Sequence, residues 1–222
     1  MSEELSDTEG LPDTLALALR ECQLELPAET VDRLDQYCQL LWQWNQRLNL
    51  TRHTDYRTFV QRDMIDTLQL SQWLAADDEI LDVGSGGGVP GVLLAILQPP
   101  WQISLAESVS KKARALEPIV GQLDLPVPVH AERAEKILDD LRFTALVSRA
   151  VGPLWKMLSW FQPHWASVGR LVVIKGPRWV EERAEARHRG LMHGIELRRL
   201  ASYPMPGTES ESVILELRPS RE

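Results

Sequence analysis

Cysteine is nearly absent from this sequence: Cys22 and Cys38 are the only two, and nothing around them has metal-ligand spacing. Both fall within helical patterns, which excludes a disulfide scaffold and leaves reduced core thiols, as expected of a cytoplasmic protein. Long apolar runs are also missing. The longest, Val92 to Leu97, is far short of the roughly 20 residues that span a bilayer. The acidic amino terminus shows no basic stretch followed by an apolar one, so no signal peptide is expected. A basic excess is lacking too, with 24 Lys and Arg against 32 Asp and Glu and a net charge of −8. That balance argues against indiscriminate nucleic-acid binding. The deficit is uneven, however: residues 1–79 carry 16 acids and 6 bases, whereas residues 80–222 carry 16 acids and 18 bases. A nucleic-acid face would therefore belong to the carboxy-terminal part. There is no internal repeat or low-complexity tract. At 222 residues the chain suits a full doubly wound sheet with an added segment.

What the sequence does have is a concentrated glycine cluster. Ile80-Leu-Asp-Val83 runs into Gly84-Ser-Gly86-Gly-Gly88, and Val89-Pro-Gly-Val-Leu-Leu-Ala-Ile96 follows. This predicts a strand, a tight turn and a helix start, with Pro90 one or two residues inside the helix, where its missing N–H costs nothing. Such a loop can serve NAD, a phosphate or S-adenosylmethionine. The dinucleotide pattern G-x-G-x-x-G fails, because the third glycine comes one residue early at Gly88 and Val89 holds its place. The phosphate loop fails for want of a following lysine. Asp82, two residues before the first glycine, suits a cationic ligand such as a sulfonium. The pattern resembles motif I of the class I S-adenosylmethionine-dependent methyltransferases. The alternative is a glycine turn with no ligand, at the conformational cost that glycine carries.

Along the chain, residues 1–11 are expected to be disordered, 12–76 to form a helical segment, and 77–222 to form a Rossmann-like methyltransferase domain. A first helix should run from about Leu15 to Leu26. A second should start near Ala28, with Leu34, Cys38, Leu41, Trp44 and Leu48 at helical spacing. Asn45 falls inside that stripe and must have partners, since a buried unpaired amide costs roughly 1–3 kcal/mol. Two roles fit it: a bracing bond to a neighbouring loop, or holding cofactor loop or substrate. A third helix, Thr58 to Leu74, is apolar on two sides (Val60, Met64 and Leu68; Phe59, Leu70 and Trp73) and should be sandwiched. Arg62 and Asp66 are spaced to pair along it. After the glycine loop, strands are expected at Gln102–Ala106, Val127–His130, Thr144–Ser148 and Arg170–Lys175. Helices are expected at Lys111–Leu123, Pro153–Phe161 and Trp179–Arg189. The alternation implies parallel strands with right-handed crossovers. Ile195–Tyr203 and Ser212–Leu217 have no helix between them and should form an antiparallel hairpin at the sheet edge. The result is an α/β fold with a mostly parallel seven-stranded sheet.

Glu107 closes the second strand, 21 residues past Gly86, where doubly wound nucleotide sites place the acid that binds ribose hydroxyls. A solvated strand-end acid is the alternative. Arg133-Ala134-Glu135 follows the third strand, where backbone groups can read an adenine edge.

From about residue 28 onward the chain resembles one family, the small-subunit ribosomal RNA guanine-N7 methyltransferases, or glucose-inhibited division protein B family. Trp44-Asn45…Asn49-Leu-Thr51 looks like its Trp-Asn…Asn-Leu-Thr signature, and Arg62-Asp-Met-Ile-Asp66-Thr-Leu like its Arg-His-Ile-Leu-Asp-Ser-Leu. Asp82-Val-Gly84-Ser-Gly86-Gly-Gly88-Val-Pro-Gly91 is close to its Asp-Val-Gly-Ser-Gly-Ala-Gly-Phe-Pro-Gly. Glu107-Ser108, Lys111-Lys112, Arg133-Ala134-Glu135, Ser148-Arg149-Ala150 and Lys175-Gly176 continue the match in order.

The resemblance implies methyl transfer from S-adenosylmethionine to N7 of a guanine in 16S rRNA of the 30S subunit, by a monomer without metal or membrane attachment. It implies cofactor contacts at Gly84, Val89, Ala134, Glu135 and Arg149, alongside Gly86, Gly88 and Glu107 from the loop and strand argument. Arg149 would also face the target base, and Lys175 and Arg178, after the fifth strand, would hold RNA. There are departures. Asp63 replaces a histidine, Val89 replaces a larger side chain, and Glu216 stands where the family tends to basic residues, which would weaken RNA contacts. The residue chemistry agrees with N7 as target. The polar-Pro-Pro-aromatic motif for exocyclic amines is absent, both cysteines lie far from the site, and no acid follows the fourth strand to complete a ribose-directed base. Guanine N7 needs alignment only, and no catalytic base is nominated. Five of the eight tryptophans lie between Trp101 and Trp179. Core packing is the expectation for each, with base stacking as the alternative. A methyltransferase for a protein or small molecule, or a non-catalytic cofactor- or RNA-binding module, would share much of this sequence.

Overall fold

The computed structural model describes residues 14–97 and 101–220, so the expected disordered tail at residues 1–11 lies outside the described residues. Among the described residues, seven strands form one sheet in the order β3-β2-β1-β4-β5-β7-β6. They are β1 (Glu79–Val83), β2 (Gln102–Ala106), β3 (Val129–His130), β4 (Phe143–Arg149), β5 (Val168–Lys175), β6 (Ile195–Pro204) and β7 (Glu211–Pro219). The first five are parallel. The β6–β7 hairpin is antiparallel, with β7 beside β5 and β6 at the edge.

The central strands are covered on both faces, which is why they read as near-continuous apolar runs. Their period-2 alternation sorts the side chains into two cores. Ile80, Ile103, Leu105, Val147 and Val172 face one side. There they meet α1 (Leu15–Glu21), α2 (Ala28–Asn45), α5 (Gly91–Leu97) and α6 (Ser110–Gln122). Leu81, Val83, Leu146, Leu171 and Val173 face the other side. Their partners are α7 (Ala134–Asp140), α8 (Leu154–Phe161) and α9 (Trp179–His188). At the end of the sheet remote from the glycine loop, buried Asp78 accepts from Ala75 N, Thr144 Oγ1 and Arg170 Nη2, tying the helical segment to β4 and β5.

Several expectations shift. Helix α1 ends at Glu21, because Gln23 turns left-handed and Pro27 must precede α2. The α2 stripe holds at Leu34, Cys38 and Leu41, while Leu48 lies past its end. Asn45 braces a loop: its Oδ1 accepts from Leu50 N at 2.8 Å and Thr51 N at 3.0 Å. The third helix is continuous from Tyr56 to Ser71 but changes type within that run. It runs as α3 (Tyr56–Thr58), a π-helical stretch (Phe59–Met64) and α4 (Ile65–Ser71). The π stretch changes the angular spacing, so Asp63 and Asp66 both turn inward. The expected Arg62–Asp66 pair is therefore not formed, and Asp66 meets Arg149 and Tyr203 instead. Trp73, expected on an apolar face, is 39% exposed. None of the eight tryptophans is fully buried; the other seven are packed on the margins of the two cores. The segment after β3 goes directly into α7, which periodicity over so short a stretch did not reveal.

Pro90 precedes α5 rather than entering it, and Gly91 is the first helical residue. A Cβ at Gly91 would lie 2.4 Å from Leu105 Cδ2 and 2.8 Å from Asp82 Oδ2. Gly91 therefore does the close-packing work that the dinucleotide pattern assigns to its third glycine. Gly91→Ala is expected to cost about 1–3 kcal/mol by overpacking. Urea denaturation would show it as a lower midpoint at unchanged m value.

Candidate functional site

The sheet's strand order reverses between β1 and β4, and ligands in open α/β sheets bind at the carboxyl ends of strands at such a point. Three cavities adjoin there. The first, about 260 Å³, lies between Val83, Gly84, Ala106, Ser108 and Arg133–Glu135. The second, about 140 Å³, is walled by Gly84–Gly87, Val89, Thr51 and Arg149. The third, about 740 Å³, opens between Arg149, Ala150 and the side chains of His53, Trp155, Arg178 and Glu181. Gly84 is common to the first two, and Arg149 with Ala150 to the last two. The three thus adjoin in series through shared walls.

The glycine loop that lines the first two cavities is held from several sides. Gly86 has φ +58° and no atom other than the Gly84 carbonyl, 3.8 Å away, near a would-be Cβ, so it leaves the cradle open. Glu107, 5% exposed, accepts from Gly86 N at 2.9 Å and Val109 N at 2.7 Å. Its carboxylate thus shapes the loop as well as standing at the strand end. From the helical segment, buried Tyr37 donates its hydroxyl to the Gly87 carbonyl at 2.8 Å. Gly88 lies off the cavity walls, packed against Val92 and Leu116. Asp82 is wholly buried beneath the loop. Its Oδ2 accepts from Gly91 N at 3.1 Å, and its Oδ1 has no partner among the described residues. The sulfonium-facing role expected from its position does not follow from this placement. Burial raises its pKa from the ordinary 3.8 to about 7.

Arg149 ends β4 at the junction of the second and third cavities. Its Nη2 lies 2.5 Å from Asp63 Oδ1 and its Nη1 lies 3.4 Å from Asp66 Oδ2. His53 Nδ1 reaches the same Asp63 oxygen at 2.8 Å, and Tyr203 donates to Asp66 Oδ1 at 2.7 Å. Three segments far apart in sequence, residues 53–66, Arg149 and Tyr203, thus meet around one guanidinium. Burial by itself would lower the Arg149 pKa, but the two carboxylates outweigh it and hold the group above its ordinary value. Burial raises the Asp66 carboxyl, with Tyr203 and Arg149 opposing. Burial, then the Asp66 charge, raises the Tyr203 phenol. Beyond Arg149 the chain leaves the strand through Ala150 at φ +57°, a left-handed turn unusual for a residue with a Cβ, and one that marks functional segments. Val151 then lies against Gly84.

The sequence model of GidB, rRNA small subunit methyltransferase G, matches residues 30–209. The chain belongs to this family. A Rhodopirellula baltica protein named ribosomal RNA small subunit methyltransferase G is 51% identical over 194 residues, 87% of this chain and 84% of that one. Its namesake from Halorhodospira halophila is 38% identical over 168 residues, 75% and 79% of the two chains. Among solved structures, M. capricolum TrmK in complex with S-adenosyl-homocysteine is similar with a TM-score of 0.55 at 10% identity, covering 70% of each chain. A mutant of MtNAS in complex with S-adenosylmethionine gives 0.53 at 17% identity, covering 92% of this chain and 78% of that one. These likenesses concern the fold, which is that of the class I methyltransferases.

Against the family pattern, Asp63 stands where a histidine is usual, yet an imidazole is still present beside it, supplied by His53. Val89 lines the second cavity, and Ala134 and Glu135 line the first. Lys175 is not an open cation. It is 7% exposed, with Nζ 2.8 Å from Glu182 and also donating to the Gly152 carbonyl, because β5 ends against α8 and α9. Arg178 is exposed on the wall of the large cavity. Glu216 lies within the sheet, on β7 beside β5, where it is 3.8 Å from Arg170. Sequence reasoning missed Tyr37, His53, Asp63 and Tyr203 as site components. The available signal was acidic Asp63 and Asp66 on a helix with two apolar sides.

Two outcomes follow from these charges. Arg149→Met is expected to cost about 3–5 kcal/mol, because it strands two buried carboxylates, and urea denaturation measures it. For Asp82, the folded state holds its proton more tightly than the unfolded chain. Its contribution is full below the ordinary 3.8 and is lost as pH rises to about 7. The slope is at most about 1.4 kcal/mol per pH unit, and Asp82→Asn should flatten this part of the stability–pH curve.

Proposed function

We infer that this protein transfers a methyl group from S-adenosylmethionine to N7 of a guanine in 16S rRNA of the small ribosomal subunit, acting as a cytoplasmic monomer. The observation that carries this reading is the chain of shared walls: the first cavity and the glycine cradle share Gly84, and the cradle and the larger chamber share Arg149 and Ala150. Family membership supports the substrate class, since the relatives are named as methyltransferases of small-subunit ribosomal RNA.

The residues present fit the cofactor. Gly86 leaves its cradle free of side chains, and Ala134 and Glu135 border the first cavity together with Ser108. Glu107 already accepts two backbone N–H groups, and its remaining lone pairs suit ribose hydroxyls. Bound S-adenosylmethionine supplies a methyl carbon made electrophilic by its sulfonium. Gly84, Gly86, Val89 and Glu107 would hold it, while Gly88 packs the loop from behind. Arg149, which lines both the glycine-loop cavity and the large chamber, would orient a base entering from the chamber. Methyl transfer to N7 would use the ring's own lone pair, with the sulfonium leaving as a neutral thioether. The positive charge moves to the guanine ring and no proton is released. The chain's task is then alignment and exclusion of water, and no general base is required. Arg178, exposed on the chamber wall, is the side chain suited to an RNA phosphate, whereas Lys175 is paired with Glu182.

With the pure protein, labelled cofactor and undermethylated 30S subunits, label should enter the RNA at one guanine that borohydride and aniline then cleave. Because few free cations line the chamber, the salt dependence should correspond to about two to four phosphate contacts. Label found only in uncleaved nucleotides, in protein or in a small molecule would overturn the reading.

A further inference from the structure

The large chamber has an aromatic wall. Trp155, on α8, lines the cavity of about 740 Å³ and is half-buried. The Arg189 guanidinium covers its ring at 3.9 Å from the centroid. Arg189 is in turn held by Glu185 at 2.6 Å, one helical turn away on α9. Cation, indole and carboxylate thus form a stack anchored on two helices. An indole fixed in this way loses little conformational freedom when a ligand meets it. Trp160, by contrast, borders the first cavity with Lys156 over its ring, away from the chamber.

A base that is to be methylated on its ring must leave the helical stack and find a replacement surface. In RNA recognition that surface is commonly an aromatic side chain. We propose that Trp155 is the platform on which the target purine stacks in the chamber beside Arg149, with Arg189 fixing the platform from behind. This rests on the RNA-methyltransferase reading above and adds the residue that receives the base. It also explains why an apolar ring of this size is kept at a cavity wall lined mostly by charged and small residues.

The test uses Trp155→Phe and Trp155→Leu in the full chain. Stacking on an aromatic side chain is worth about 1–3 kcal/mol per base. Trp155→Leu should therefore lower kcat/KM on undermethylated 30S subunits about 5- to 150-fold. Trp155→Phe should retain most of it, and S-adenosylmethionine affinity by calorimetry should be unchanged in both. A second measurement does not depend on transfer. A short single-stranded RNA containing one guanine should quench the intrinsic fluorescence of the wild type, and the Trp155 share should vanish in Trp155→Phe. Equal quenching in wild type and Trp155→Phe would overturn the proposal. So would equal kcat/KM in wild type and Trp155→Leu. If quenching is lost as expected while the wild type labels no 30S RNA, the platform stands and the substrate reading fails.

Discussion

The Arg149 guanidinium, clamped between Asp63 and Asp66, is the contact on which the rest of the site depends. It joins the end of β4 to the helical segment, and through Tyr203 and Asp66 it reaches the edge hairpin. Buried ions are costly to take out of water, so such a cluster persists only when every partner is in place. That condition makes the helical segment part of the site and not an appendage of the sheet. It also fixes the height of Arg149 between two cavities, where a misplacement of about one ångström would matter most for an alignment reaction.

The glycine loop is governed by a comparable shared restraint. Glu107 pulls Gly86 from the sheet side, Tyr37 holds Gly87 from the helical side, and Gly91 lets α5 sit directly on β1 and β2. The buried Asp82 carboxyl beneath it anchors Gly91 at the cost of an ionisation that burial opposes. A loop pinned from both faces presents a preformed cradle, so a ligand need not spend binding energy ordering it.

Charge is arranged to the same end. The chamber wall is not a free basic surface: of its cations Lys175 is matched by Glu182 and Arg149 by two aspartates, while Arg178 is exposed. Matched charges give shape and rigidity without attracting arbitrary polyanions. This accords with an acidic chain whose carboxy-terminal part alone is slightly basic.

Much of this was legible beforehand for local reasons. Short apolar runs alternating with helical patterns located the parallel strands, because strands covered on both faces read as mostly apolar. The missing helix between Ile195 and Leu217 announced the hairpin. The glycine spacing announced the tight loop after β1, and Glu107 at the next strand end meets it at Gly86 N. The helical stripe placed Asn45 where it needed partners, and it has them in Leu50 and Thr51. What only the tertiary structure decided were the pairings across long separations. Asp66 and Arg149 are 83 residues apart, and Asp66 and Tyr203 are 137 apart. Propensity carries no signal for the π-helical stretch that contains the buried Asp63. Lys175 looked like an open cation because a sequence shows a charge and not its partner, and its partner Glu182 arrives only when α9 folds back over the end of β5. Local backbone chemistry is written in neighbouring residues, whereas the electrostatics of a buried site belong to whichever segments the fold brings together.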